Sequence, residues 1–219
     1  MKNARVWFEK DRECKYISHL DLNRVMLRAV QKSKIPVWHT EGFNPHPFIT
    51  FALPLSLGFR GKRESMDFKL TDELYPLENI PAALNACLPG GIRVYGAFEP
   101  VMKPGAIAFA KFVIDLESGE YGVSQIMQAV KNLLAMDCVT VEKKTKSGQK
   151  QVDIRYALEN VTAQPSENAV RLTAVLPAGS ADNVNPSLII SALEKYFGIK
   201  PLFDITRECL YDAQMNEFV

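Results

Sequence analysis

Three histidines, His19, His39 and His46, fall within 28 residues. An imidazole titrates near neutral pH, so a pair held beside a basic surface has the chemistry of a general acid and base for RNA cleavage. His19 and His46 are therefore the catalytic candidates if the chain is an enzyme. The plainer reading makes His19 a first-turn helix residue and His46 a loop residue bonded to backbone. His39-Thr40-Glu41 has the His-x-Glu spacing of zinc deaminases, but no Pro-Cys-x-x-Cys accompanies it, which removes that chemistry. Arg24 and Arg28 are one helical turn apart and would project together as a cationic fork able to grip phosphate or carboxylate. A solvated helix face, or an ion pair to Asp21, is the structural alternative. Glu41-Gly42-Phe43-Asn44-Pro45-His46-Pro47 reads as a functional loop, stiffened by two prolines and opened by a glycine that lets backbone approach a partner. Asn44 in it suits either a base edge or its own turn.

These residues need elements to position them. Alternation predicts a strand over 5–10 and a short one at 15–17. Ser18 with Asp21 marks a helix start, followed by apolar residues at helical spacing up to Pro36. Strands follow at 48–53 and 65–70, then a helix over 77–87 and a strand over 92–98. That order, β-α-β-β-α-β, is the split βαβ or ferredoxin-like unit. Pro104-Gly105 sits in a linker at 101–105. Beyond it the order runs again: strand 110–116, helix 121–136, hairpin strands at 138–144 and 151–158, strand 169–176, helix 186–197 and strand 202–209. Asn185 caps the last helix, with Pro186 in its first turn. The expected fold is α+β: two ferredoxin-like units with antiparallel sheets, at 1–100 and 106–219, the second with an extra hairpin strand.

Alternation also divides the first sheet into faces. Val6, Phe8, Met66, Phe68, Leu70, Ile92 and Val94 would face the helices. The opposite face would collect Arg5, Trp7, Lys69, Arg93 and Tyr95, a mixture of cations and aromatics suited to single-stranded RNA, where bases stack at roughly 1–3 kcal/mol each. The competing reading has this face packed on the second half of the chain, with Trp7 and Tyr95 as filler between the two units. Charge agrees with an anionic partner: residues 1–64 hold 12 Lys/Arg against 6 Asp/Glu, while 65–219 hold 14 against 19. Lys143, Lys144, Lys146 and Lys150 cluster on a predicted hairpin tip, read as a solvated turn or a basic finger. Cys14, Cys87, Cys138 and Cys209 lie 73, 51 and 71 residues apart, too far for paired-cysteine metal ligation, and read as reduced thiols. No apolar run reaches the roughly 20 residues that span a bilayer, and no secretory signal opens the chain, so a cytoplasmic protein without a membrane partner is expected. No phosphate-cradling glycine loop, serine triad or paired-carboxylate pattern occurs, and no cofactor or metal is expected.

The runs Lys15-Tyr16-Ile17-Ser18-His19-Leu20-Asp21-Leu22-Asn23-Arg24, Arg28-Ala29, Ile35-Pro36, Glu41 to Pro47, and Leu53-Pro54-Leu55-Ser56-Leu57-Gly58 with Glu64, resemble the bacterial radical-SAM-linked family of unknown function. The resemblance is densest over 5–70 and looser beyond. His39 and Thr40 stand where relatives are expected to carry an aromatic and a serine. The resemblance implies association with a radical S-adenosylmethionine enzyme acting on RNA or in translation. This chain lacks a Cys-x-x-x-Cys-x-x-Cys run and so cannot hold the four-iron cluster of such an enzyme itself. Duplicated ferredoxin-like units with a basic first helix also look like the RNA-processing endoribonucleases of CRISPR systems.

The expected function is a non-catalytic RNA-binding or substrate-presenting accessory protein that works with a separate radical SAM enzyme. Its expected contacts are Arg5, Trp7, His19, Arg24, Arg28, Glu41, Phe43, Asn44, His46, Lys69, Arg93 and Tyr95, gathered in one exposed groove. The alternatives are a metal-independent endoribonuclease using His19 or His46, and a protein-binding scaffold for the radical SAM partner.

Overall fold

Residues 2–10 alternate between apolar and polar side chains, and they form the first strand, β1 (Lys2–Lys10). In the computed structural model, which describes residues 1–145, 148–180 and 182–219, the chain divides into two units. The first is Met1–Ala106 with Glu217–Val219, and the second is Ile107–Asn216.

In the first unit β1 is followed by a 3-10 turn (Arg12–Tyr16), α1 (His19–Ser33), β2 (Ile49–Phe51), β3 (Arg60–Leu70), α2 (Ile80–Asn85) and β4 (Ile92–Phe98). Ser18 caps α1: its hydroxyl accepts the Asp21 N–H at 3.1 Å and donates to the Asp21 carboxylate at 2.7 Å. Lys34, in the left-handed region at φ 57°, ends the helix just before Pro36. The strands lie in the order β4-β1-β3-β2, each pair antiparallel. Val6, Phe8, Met66, Phe68, Leu70, Ile92 and Val94 form one cluster with Leu22, Met26 and Val30 of α1 and Ile80 and Leu84 of α2. Burial of each such side chain stabilises by roughly 1.5–3 kcal/mol. The apolar stripe, and not the exposed charges of α1, therefore holds the helix on the sheet.

The second unit contains β5 (Phe109–Glu117), α3 (Val123–Leu134), β6 (Thr140–Thr145), β7 (Gly148–Asp153), β8 (Val161–Pro165), β9 (Ala169–Pro177), α4 (Ser187–Phe197) and β10 (Phe203–Tyr211). Its sheet has the order β10-β5-β9-β8, again antiparallel throughout. Among the described residues β6 and β7 pair only with each other, as a separate hairpin. Alternate residues of β5 (Ala110, Phe112, Ile114, Leu116) and β9 (Val170, Leu172, Ala174, Leu176) are buried, as are Ile126, Val130 and Leu133 of α3 and Ile189 and Leu193 of α4. Asn185 accepts the Ser187 N–H at 2.9 Å, so it caps α4 with Pro186 at the first turn.

The chain is thus an α+β protein with antiparallel sheets. Several local expectations change. Residues 15–17 are not a strand, because the Asp11 carboxylate accepts the Arg12 N–H and starts the 3-10 turn. The strand expected at 48–53 shortens to Ile49–Phe51, and β3 begins at Arg60, not 65. The strand expected at 151–158 stops at Asp153; a 3-10 turn (Arg155–Asn160) and β8 follow. Residues 101–105 are no free linker. The Met102 N–H donates to Val219 O at 2.7 Å, the 3-10 turn Pro104–Ala106 follows, and the segment stays with the first unit. The tip of the lysine-bearing hairpin, at 146–147, lies outside the described residues. Among the described residues none of the four cysteines is in a disulfide. Among the described residues no helix is long and apolar enough to cross a membrane.

Candidate functional site

The loop between α1 and β2 folds back on itself. Thr40 N–H donates to His46 O at 2.9 Å and Phe48 N–H to Trp38 O at 3.0 Å, while His39 bridges Pro47. The Trp38 N–H donates to Lys69 O at 2.8 Å, which fixes the base of this narrow hairpin to β3. At its tip Gly42 has φ +129°, a conformation that side-chain-bearing residues rarely adopt. His46 closes the turn: its Nδ1 lies 3.0 Å from Asn44 O and 3.2 Å from the Thr40 hydroxyl. Phe43 projects from the tip with full exposure, at 105%. Glu41, Asn44 and His46 are exposed around it. Four of the expected contact residues therefore do share one braced, solvent-facing projection.

The other histidines lie elsewhere. His19 opens α1 half-buried, its ring edge-on to Phe51 at 5.1 Å. His46 and Phe51 are joined by extended chain, roughly 15 Å at about 3.3 Å per residue. His19 thus sits against Phe51 of β2, and His46 at the hairpin turn. His39 is exposed, its Nδ1 2.9 Å from Val37 O. Arg24 pairs with Asp21 of its own helix at 3.0 Å, and Arg28 is exposed on the same helix. The Ser18 hydroxyl and Arg24 hold the Asp21 carboxyl below its usual range.

The face of the first sheet away from the helices is not the open cationic surface that alternation suggests. Arg5 is 1% exposed. Its Nε and Nη2 donate to the two Asp67 oxygens, each at 2.7 Å, and Nη2 also donates to Met102 O at 2.8 Å. Nη1 is enclosed with no hydrogen-bond partner, but the guanidinium carbon stands 4.2 Å from the Phe218 ring centroid, so a π face offsets the lost hydration. Trp7 is 5% exposed, edge-on to Phe218 at 6.1 Å and capped by the Arg63 guanidinium at 4.6 Å. Arg63 is in turn ion-paired with Glu217. Residues 217–219 thus cover Arg5 and Trp7, and neither is a contact for an outside partner in this arrangement. Lys69 is exposed on β3. Arg93 is exposed on β4, 3.7 Å from Glu9, and with Arg12, Glu9 and Asp11 lines an open cleft of about 530 Å³ in which carboxylates offset its charge. Tyr95 is part-exposed, and burial pushes its phenol up to about 12.

The expected single groove is accordingly corrected. Arg24 and Arg28 belong to the helix layer, Arg5 is interior, and Lys69 and Arg93 stand on strands separated by β1. The aromatic pair at the hairpin base, Trp38 and Phe48 (centroids 5.7 Å apart), went unrecognised as part of the site. Its signal was present: two aromatics flanking the loop at 38 and 48, symmetric about the tip.

The sequence profile of a family described as "Uncharacterized protein conserved in bacteria (DUF2344)" matches residues 3–186. The chain belongs to this family. The match runs through nearly all of the first-unit sheet, the hairpin and most of the second unit, and the family's description attaches no activity to it. Comparison with curated proteins gives no match.

Proposed function

We propose that this chain is a non-catalytic RNA-binding accessory protein that presents substrate to a separate radical SAM enzyme. The observation that carries the reading is Phe43. A wholly exposed aromatic is unfavourable in water, yet here it is held on a hairpin tied down by Thr40, His46 and Trp38, so its ring faces solvent while being prepositioned. Such a ring suits stacking on an unpaired base, with Asn44 and His46 beside it for polar contacts. The radical SAM association comes from the sequence resemblance alone, and the absence of a cluster motif in this chain is consistent with a partner supplying that chemistry. His19 packs on Phe51 and the His46 Nδ1 faces Asn44 O and the Thr40 hydroxyl, local contacts that favour recognition over cleavage. The common strand order of the two sheets, with an inserted β6–β7 hairpin, supports reading both units as ferredoxin-like.

Phe43→Ala should leave thermal stability unchanged within about 0.5 kcal/mol, as expected of a side chain without neighbours. It should weaken binding to single-stranded RNA by about 1–3 kcal/mol, and wild-type binding should fall as salt rises. Filter binding at two ionic strengths, beside melts of both proteins, reads this out. No RNA binding at low salt would end the RNA reading. RNA affinity unchanged in the variant, with loss of a radical SAM enzyme that co-purifies anaerobically with the wild type, would reassign Phe43 to a protein contact.

A further inference from the structure

On the face of the first sheet away from the helices, strand register sets Asn3 opposite Lys69, and Asp67 between Arg5 and Thr50. Beside this grid, Phe48 and the segment Pro100–Pro104 line an open cavity of about 300 Å³. That volume lies at the small end of the range for ligand pockets, roughly 300–1,000 Å³, and suits one small molecule or one unit of a polymer.

The polar groups around it differ in what they have left to give. Asp67 is already neutralised by Arg5. The Asn3 carboxamide, the Thr50 hydroxyl and the Lys69 and Lys103 ammonium groups have no partner among the described residues. An amide and a hydroxyl each offer both a donor and an acceptor, the pattern that the edge of a heterocyclic base requires. Two uncompensated ammonium groups call for an anion. Phe48 is 44% exposed, fixed by its edge contact with Trp38, and adds a π surface. A flat, hydrogen-bonding ring joined to a phosphate satisfies all three demands.

We infer that this cavity binds one unstacked nucleotide, its base against Phe48 with Asn3 and Thr50 at the base edge, and its phosphate by Lys69 and Lys103. The inference rests on the RNA reading only for the source of that nucleotide; the recognition chemistry is common to a free mononucleotide and to one residue of a strand.

The test titrates the full chain with AMP, GMP, CMP and UMP, and separately with a short single-stranded oligoribonucleotide. Each titration is repeated for Phe48→Ala and Lys69→Gln after circular dichroism shows that the variants fold, and for Phe43→Ala in the oligomer arm. At least one mononucleotide should bind at one site per chain, about tenfold more weakly in each cavity variant. The matching nucleoside should bind more weakly than the nucleotide. Thr50→Val, an exposed change with no packing cost, should narrow the preference among the four bases. If no mononucleotide binds while the oligomer binds in a Phe43-dependent way, the cavity inference fails and the RNA reading stands. Mononucleotide binding indifferent to Phe48 and Lys69 also overturns it. Binding of a mononucleotide as expected, without oligomer binding, upholds the cavity as a free-nucleotide site and removes the RNA reading; silence in both arms removes both.

Discussion

Arg5 shows how a residue's chemistry is decided by its neighbours. By type it is a cation for an anionic partner; in place it is an interior strut, with Nε and Nη2 donating to Asp67 and Nη2 also to Met102 O. Removing the carboxylate alone would leave a guanidinium enclosed without its counter-charge, a loss of about 3–5 kcal/mol for a buried pair. Asp67→Ala should therefore lower stability by several kcal/mol in urea melts, whereas Arg5→Met with Asp67→Leu should recover much of that loss because no unpaired charge remains. Equal losses in the single and double variants would mean that the pair matters through shape and not charge. Alternation along β1 placed Arg5 and Trp7 correctly on the face away from the helices. It could not show that Phe218, more than two hundred positions later, closes over them, because periodicity reports which way a side chain points and not what arrives to meet it.

Among the elements, those built from long periodic runs were legible and those built from turn chemistry were not. The stripe Leu22, Met26, Ala29 and Val30, with Ser18 at its start, was sufficient for α1. β8 was missed because Val161-Thr162-Ala163-Gln164-Pro165 is short and ends in proline, a signal no stronger than that of a loop. The Phe43 hairpin was read as an irregular loop, since its pairing runs through Thr40, His46 and Trp38 and not through an apolar pattern. The β6–β7 hairpin is tied at its open end by Asp153, whose carboxylate accepts the Val139 and Arg155 N–H groups at 3.0 and 2.9 Å. Those bonds hold its pKa below the usual 3.8. A folded pKa below the unfolded one means that the stabilisation is complete above about pH 4 and is lost as pH falls through the folded value. Asp153→Asn should flatten that acid limb, read from urea midpoints between about pH 5 and pH 2; an unchanged pH dependence would show that Asp153 does not govern it.

At the scale of the whole molecule, the division into units departs from a simple cut near residue 105. The sequence displayed a proline-glycine boundary there, but the short tail at 217–219 carries only one large apolar residue, too little pattern to reveal where it docks. Phe218 is 1% exposed, and truncating a buried phenylalanine costs about 3–5 kcal/mol. Phe218→Ala should accordingly destabilise the first unit by that order in chemical melts and shift Trp7 fluorescence to the red as its ring meets water. A melt that moves without any change in emission would locate the loss away from Trp7.

Because Glu217–Val219 complete the first unit while 107–216 form the second, the first unit cannot finish closing until the second has been synthesised. A ribosome releases residues 1–106 early but withholds the buried Phe218 until the intervening stretch has been translated. The intervening portion has all of its own parts in hand before Phe218 is made, and Arg5 and Trp7 wait, hydrated, for that ring.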